Sequence, residues 1–367
     1  MKIILFRSNN IFDSRVNKYV NYYERAGLDY TAVGWDRKGE GLEREHYDFC
    51  RYKAGVAVGG IRALSNHGHW MRFVYDYLKQ HPEVTTIHAC DLNAAFPAAL
   101  YKKRLNPKVK LIFDACDWFS ANFGSNYVLR KSFERMERFT CKWADELIIC
   151  EPERKEQVTF PLHKEPLVMP NIPEIDEALV QGTDERYHFD NGWPTLAYFG
   201  GLASDRFLVE LIGVAETEHV NLLIGGFGHK VVEDKLRDVE GLENIRWFGR
   251  MVMKDGLQMS NAADAIYAMY CKTTPNHVYA APNKYYEAMF LGKPLITTKG
   301  TILENKVLKN GTGYVIEESI EELRQLIRSL DKEKMSQKGK AARKLWDERY
   351  KNYIRCFFDE TYSKIIA

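Results

Sequence analysis

The sequence predicts an α/β protein of two doubly wound, parallel-sheet domains that face a central cleft. Three observations carry that expectation. Short apolar runs alternate with amphipathic helical segments from Lys2 to Cys150, and the same alternation restarts at Pro194. Between them lies a Pro-, Glu- and Asp-rich stretch without periodicity. The length of 367 residues suits two domains of roughly 100–200 residues each better than one.

In the first half, KIILF is a strand that ends in the polar loop 7–14. RVNKYVNYYERAG has helical spacing and stops at Gly27, a natural C-cap. YTAVGW, TTIHAC, KLIFDAC and ELIIC are further strands, and HWMRFVYDYLKQ, AAFPAALYKKRL and LRKSFERMERFTCKWA are helices. A basic, glycine-containing stretch precedes HWMRFVYDYLKQ. The second half repeats the pattern. Its strands are TLAYFG, NLLIGG, IRWFG, AIYAMY, PLITT and GTGYVI, and its helices are FLVELIGVAE, HKVVEDKLRDV, MKDGLQMSN and KYYEAMFLG, with further helices to the end. The irregular stretch of residues 171–194 is too long for a loop inside one compact domain and is taken as a linker. Tandem domains of this kind bind ligands at the carboxyl ends of their strands.

Composition removes several functions. Lys and Arg number 52 against 50 Asp and Glu, a net charge of +2, so no nucleic-acid binder is expected and any cationic site must be local. The seven cysteines are odd in number and form no C-x-x-C pair, which argues against a disulfide framework and a cysteine zinc site. MKIILFRSNNIF is too short in its apolar core for a signal peptide. No apolar stretch approaches the ~18 residues of a membrane span, so a cytoplasmic protein with reduced thiols is expected. No H-x-x-x-H or Asp-x-Asp pair ends a strand, so no catalytic metal is expected. The first strand is followed by RSNNIFDSR, which has no glycine, and GGFGHK lacks the third spaced glycine of a dinucleotide fingerprint.

The most informative segment is PNKYYEAMFLGKPLITT, residues 282–298. Pro282 suits a helix start, where its missing N–H costs nothing. That helix would aim free N–H groups and its positive dipole end beyond the sheet edge, as an anion site does. Lys284 stands in the first turn, where a cation is unfavourable without a nearby anion, and Glu287 lies one turn after Asn283. The alternative is a surface helix with both charges solvated.

This passage resembles the nucleotide-sugar-binding segment of GT-B glycosyltransferases, in particular the retaining family four. DSRVNKYVNYYERAG resembles that family's first helix, and IHACDLNAAFPAAL with KLIFDACDWF its paired strand ends. ELIICEP and VMPNIPE resemble its last N-domain strand and hinge turn, and LAYFGGLASDRFLVELI and NIRWFGRM the loops around its donor site. Two departures stand out: Tyr279 occupies the place of the first of two spaced glutamates, and Gly201 and Phe207 stand where cations are usual. Cys116 replaces a histidine at the strand end, so no histidine base is assigned there.

The resemblance implies a GT-B architecture of Rossmann-like domains. Residues 1–172 would bind the acceptor, 173–193 form the linker, 194–345 bind the nucleotide-sugar, and a final helix, 346–367, crosses back. It implies a retaining hexosyltransferase that moves sugar from a UDP- or GDP-linked donor to a glycan or lipid-linked hydroxyl in cell-surface polysaccharide synthesis, without cofactor or metal. Asp117, Lys284 and Arg206 are the catalytic candidates. Glu287, Asn283, Gly200, Gly201, Gly228 and Arg250 are donor-side, and Asp13, Arg15 and Asp91 acceptor-side. Asp114 would face the cleft beside them, His88 suits a hydrogen-bonded core residue, and Asp13 alternatively serves as an N-cap. VLRKSFERMERFTCKWADE and RALSNHGHWMRFVYDYLKQ suit either packed stripes with a solvated basic face or a surface that lies on anionic lipid. A nucleotide-sugar epimerase and a non-catalytic nucleotide-sugar-binding subunit of the same fold are the rival readings.

Overall fold

The computed structural model describes residues 1–9, 11–54, 60–123, 126–180, 182 and 184–367. Asn10 of the first loop, residues 55–59 of the glycine-containing stretch, and Gln181 and Thr183 of the irregular segment lie outside the described residues. The chain divides into two compact units, Met1–Pro170 with Arg355–Ala367, and Asn171–Ile354.

The first unit holds a parallel sheet of β1 (Lys2–Phe6), β2 (Asp29–Trp35), β3 (Tyr47–Cys50), β4 (Thr86–Cys90), β5 (Lys110–Ala115), β6 (Glu146–Ile149) and β7 (Leu167–Val168). Their order is β3-β2-β1-β4-β5-β6-β7, so the winding reverses between β1 and β4. Ligands of doubly wound folds bind at such a reversal, beyond the carboxyl strand ends. Helices α1 (Ser14–Arg25), α2 (Gly60–Gln80), α3 (Leu92–Arg104) and α4 (Tyr127–Trp143) connect the strands. The central strands are buried and mostly apolar because they are covered on both faces, with His88 and Asp114 as buried exceptions.

Local chemistry sets the ends of α1. The Asp13 carboxylate accepts from the backbone N–H groups of Arg15 and Val16 at 3.0 and 2.9 Å, an N-cap. Gly27, at φ +63°, stops the helix in the left-handed region. Val16, Tyr19, Val20 and Tyr23, at helical spacing, are buried. Strands β3 and β7 carry no strong sequence signal: YDFC is interrupted by a charge, and LV is two residues long.

The second unit repeats the plan with β8 (Thr195–Phe199), β9 (Asn221–Gly225), β10 (Ile245–Trp247), β11 (Ala265–Ala268), β12 (Leu295–Thr298) and β13 (Gly313–Ile316). The order is β10-β9-β8-β11-β12-β13, all parallel, with the reversal between β8 and β11. Its helices are α5 (Leu208–Ala215), α6 (Lys230–Asp238), α7 (Met253–Ala262), α8 (Pro275–Val278), α9 (Asn283–Leu291), α10 (Ile302–Asn310), α11 (Ile320–Ser329) and α12 (Lys332–Leu345).

The segment taken as a linker is part of this second unit. Ile172 and Tyr187 are buried in its core, and Arg246 donates to the Arg186 and His188 carbonyls at 2.9 and 2.7 Å. Two apolar anchors in a polar stretch give no periodicity, so packing of this kind is not visible in the pattern. At the far end, α12 runs into a π-helical turn at Trp346–Tyr350, and Trp346 packs in the second unit's core. From Arg355 the chain belongs to the first unit, where Phe358 stacks on Tyr22 at 4.8 Å. No described helix is long and apolar enough to cross a membrane.

Candidate functional site

In the second unit the loops that leave β8, β9 and β11 meet the N-terminus of α9 at the carboxyl edge of the sheet. Pro282 stands at the N-cap in extended conformation, and no side chain caps the helix. Pro282 itself therefore offers the first N–H groups no side-chain acceptor. Lys284, half-buried in the first turn, places Nζ 4.8 Å from the centre of the Tyr198 ring. The Tyr198 hydroxyl donates to the Gly201 carbonyl at 2.6 Å, and burial pushes it up to about 12.

Arg206 enters from the β8–α5 loop. Its guanidinium lies over the Tyr270 ring at 4.5 Å, and Nη1 donates to Asp205 Oδ1 at 3.0 Å and lies against the His277 ring, 2.9 Å from Nε2 and 3.4 Å from Nδ1. Glu287, one turn into α9, is 8% exposed. Burial raises its pKa, against the pull of Lys284. Burial lowers the pKa of Lys284, Glu287 opposes that shift, and the Arg206 charge adds to it. Two cations, a buried carboxylate and an uncapped helix start thus share one edge. That combination stabilises an added anion, which would relieve the repulsion between Lys284 and Arg206.

The glycines divide by cause. Gly200 has φ +149°, and a Cβ there would stand 2.7 Å from Lys284 Nζ, so this glycine leaves room for the cation. At Gly228 a Cβ would meet the Leu202 carbonyl oxygen at 2.5 Å, and its N–H already donates to Glu233 at 2.9 Å. At Gly228 the absent Cβ therefore serves the close approach of two loops. Gly201 has open space where a Cβ would be and offers its carbonyl to Tyr198. Asn283 is the first residue of α9 and half-buried. Arg250 is exposed, and its guanidinium covers the Phe227 ring at 4.0 Å.

In the first unit the structure separates residues that the sequence reading grouped together. Arg15 is not an open acceptor-side cation. It is 4% exposed and donates twice to Asp114, at 2.7 and 2.5 Å, and to the Met169 carbonyl at 3.0 Å. Asp114 is fully buried and also accepts from Tyr19 at 3.1 Å, so it faces the core and not a cleft. Burial alone would raise its pKa, but Arg15 and His88 hold the carboxyl well below the usual carboxylate range. His88 is a core residue, with Nδ1 2.7 Å from the Tyr362 hydroxyl. His88, Cys90 and Asp114 bring potential ligand atoms within 4.8 Å of one another, yet both Asp114 oxygens are committed to Arg15.

Asp91 and Asp13 meet at Arg7, in the polar loop after β1. Arg7 bonds Asp91 at 2.5 Å and Asp13 at 3.0 and 2.9 Å, with Cys116 Sγ at 3.3 Å. Asp91 holds φ +64° at the start of α3 without capping the helix, a strained backbone at a strand end. Burial raises its pKa, and Arg7 pulls it back. Asp117 is exposed and pairs with Arg154 at 2.7 Å. Tyr198, Tyr270, Asp205 and His277 escaped the sequence reading. The only trace of the two tyrosines is that aromatic residues end TLAYF and AIYAMY.

Residues 194–332 match the family model described as glycosyl transferases group 1. The whole chain superposes on sucrose-phosphate synthase from Thermosynechococcus elongatus with a TM-score of 0.75 at 16% identity, covering 100% of this chain and 99% of that one. Anabaena HepE in complex with UDP and glucose gives 0.73 at 14%, covering 99% and 100%. WaaG, a glycosyltransferase involved in lipopolysaccharide biosynthesis, gives 0.64 at 14%, covering 95% and 96%. No curated protein matches the sequence. The fold is that of the GT-B glycosyltransferases.

Proposed function

We propose, from a second unit that carries a group 1 glycosyl transferase region, that this protein transfers a sugar from a nucleoside-diphosphate donor to a hydroxyl of a glycan or lipid-linked acceptor. One observation carries the reading: Lys284, Arg206, the uncapped start of α9 and Glu287 converge at one sheet edge. Solved structures with the same fold include HepE with UDP-glucose and a trehalose-6-phosphate protein with UDP-2-fluoro glucose.

In this reading the diphosphate binds between the α9 N-terminus and the two cations. Its negative charge grows as the glycosidic bond breaks, so Lys284 and Arg206 gain most in the transition state. Glu287 accepts hydrogen bonds from ribose hydroxyls. The outcome is retaining, with the departing phosphate helping to deprotonate the acceptor on the same face. The first unit binds the acceptor, and the product belongs to cell-surface polysaccharide. Contact with anionic lipid is supported by Tyr127 and Val128, 64% and 74% exposed, beside Arg130 and Lys131.

The test is a panel of UDP, GDP, TDP, ADP and CMP in a thermal-shift assay, followed by product analysis with the sugar form of the best binder. A ligand at 100 times its Kd adds about 2.7 kcal/mol of stability. Turnover is expected to persist in EDTA, because the charge is met by side chains and a helix end. Activity abolished by chelation and restored by magnesium or manganese would remove that part of the reading.

Asp117 is assigned to the acceptor side on its position after β5, with its carboxylate exposed and held by Arg154. Asp117→Asn is expected to lower kcat about tenfold or more while nucleotide affinity holds. Loss of nucleotide binding with kcat unchanged at saturating donor would reverse the roles of the two units.

A further inference from the structure

We infer that Cys116 and Cys150 form a redox-active dithiol in the first unit, a site where hydrogen peroxide closes a reversible disulfide. Each cysteine is the first residue after its strand, Cys116 after β5 and Cys150 after β6. The two strands pair in parallel, and Ala115 stands opposite Ile149 at the end of their register. The next residue on each strand therefore comes beside the other. Parallel neighbours stand about 4.8 Å apart, inside the span of roughly 4.4–6.8 Å between Cα atoms that a disulfide accepts. The two thiols are hydrogen-bonded to each other, and Cys150 Sγ lies 3.4 Å from the Cys116 carbonyl oxygen. Bond formation thus needs little movement of either backbone.

The surroundings separate this pair from other cysteines of the chain. Burial raises the thiols of Cys50 and Cys141, as it does for a small core hydrophobe. Around Cys116 and Cys150 three guanidinium groups gather. Arg7 Nη1 is 3.3 Å from Cys116 Sγ, and the charges of Arg15 and Arg154 act on Cys150. The hydrogen bond from Cys116 lowers the pKa of Cys150 against burial, and the two arginines add to that shift, with Asp114 opposing. The same hydrogen bond raises Cys116, as do burial and Asp91, while Arg7 and Arg15 oppose. The pair therefore holds its first negative charge on one sulfur with the other as donor, and the thiolate is the nucleophilic form. Access comes from one side, since Cys150 is buried and Cys116 half-buried.

The chemistry balances with one peroxide. The thiolate attacks a peroxide oxygen, the O–O bond breaks, and a sulfenic acid forms as hydroxide leaves and takes up a proton. The neighbouring sulfur then attacks the sulfenic sulfur, the S–O bond breaks, and the S–S bond forms with release of water. The two thiols give up two electrons and two protons in all, and the peroxide becomes two waters. A thiol reductant reverses the bond by exchange. The disulfide ties the loop that carries Asp117 to the loop that carries Arg154, two residues paired at 2.7 Å in the reduced protein.

The experiment treats the folded chain with hydrogen peroxide, alkylates the remaining thiols in denaturant and maps tryptic peptides by mass. Trypsin cuts after Lys110, Arg130, Lys142 and Arg154, so each cysteine is alone in its peptide, residues 111–130 and 143–154. The peroxide dose is set where the exposed Cys356 is still alkylated. The expected result is the loss of two of the seven thiols and a linked pair of those two peptides. Dithiothreitol added before alkylation should return both thiols. The same treatment in denaturant should lose the preference and spread the links among the cysteines.

Oxidation of Cys356 while Cys116 and Cys150 are both still alkylated overturns the inference. So does a dominant link to another cysteine, or sulfinic acid on either residue without the linked peptide. Equal preference for the link in folded and denatured chain overturns it as well, because the strand register would then play no part. The readout uses neither nucleotide nor acceptor, so it stands or falls separately from the transferase reading.

Discussion

Asp114→Ala is expected to destabilise the first unit by about 3–5 kcal/mol, the cost of leaving a buried partner charge unpaired. Arg15 would then sit 4% exposed with its charge partner gone, and Tyr19 would lose its acceptor. Calorimetric unfolding followed for the first unit measures the loss. The double change Arg15→Met with Asp114→Leu should recover most of it, because neither charge is then buried. A loss below about 1 kcal/mol for Asp114→Ala would mean that the pair is not a structural hub. The pH dependence has a fixed sign. The folded pKa of Asp114 is depressed, so its contribution is fully present above the unfolded value of about 3.9. It is lost as pH falls through the lower folded value, so this pair fails only in strong acid.

The second large effect concerns donor affinity. Glu287→Ala is expected to weaken binding of the nucleoside diphosphate about 30–100-fold, the loss of hydrogen bonds from two hydroxyls to one charged acceptor. The folded chain itself makes no hydrogen bond to that carboxylate among the described residues, so its removal leaves no protein donor unsatisfied. Stability should hold, and circular dichroism should be unchanged. The sign with pH follows from the raised pKa: acidification protonates Glu287 before an ordinary glutamate, and affinity falls with it. Glu287→Gln separates charge from shape, and should retain part of the binding while losing that pH dependence. Unchanged affinity in a correctly folded Glu287→Ala protein would sink the assignment.

What the sequence made legible was local. Asp13 as a cap, Gly27 as a stop and the start of α9 at Asn283 all follow from chemistry within one turn of the helix. The apolar runs marked the long strands, because strands covered on both faces need apolar residues throughout. Pairings across long stretches of chain left no such trace. Arg15 and Asp114 are 99 residues apart, and each alone reads as an ordinary polar residue at an element end. Nor does glycine spacing reveal that the absent Cβ of Gly228 admits the backbone of Leu202. Lys284 and Arg206 were recognisable as charges, but the Tyr198 and Tyr270 rings beneath them and the imidazole beside Arg206 belong to segments distant in sequence.

Tyr362 joins the hydroxyl of Tyr23, at 2.6 Å, to His88, and it lies in the stretch Arg355–Ala367 that rejoins the first unit. This sets an order on biosynthesis. The ribosome makes the bulk of the first unit early, but the residues that fill its tyrosine pocket emerge only after the whole second unit. Until then Tyr23 and His88 lack their partner, and the place of Phe358 against Tyr22 is open. The second unit is contiguous in sequence and can close as it emerges. The half of the protein translated first is therefore the half completed last, and a nascent chain halted before Arg355 should present an unfinished first unit to chaperones and proteases beside a finished second one.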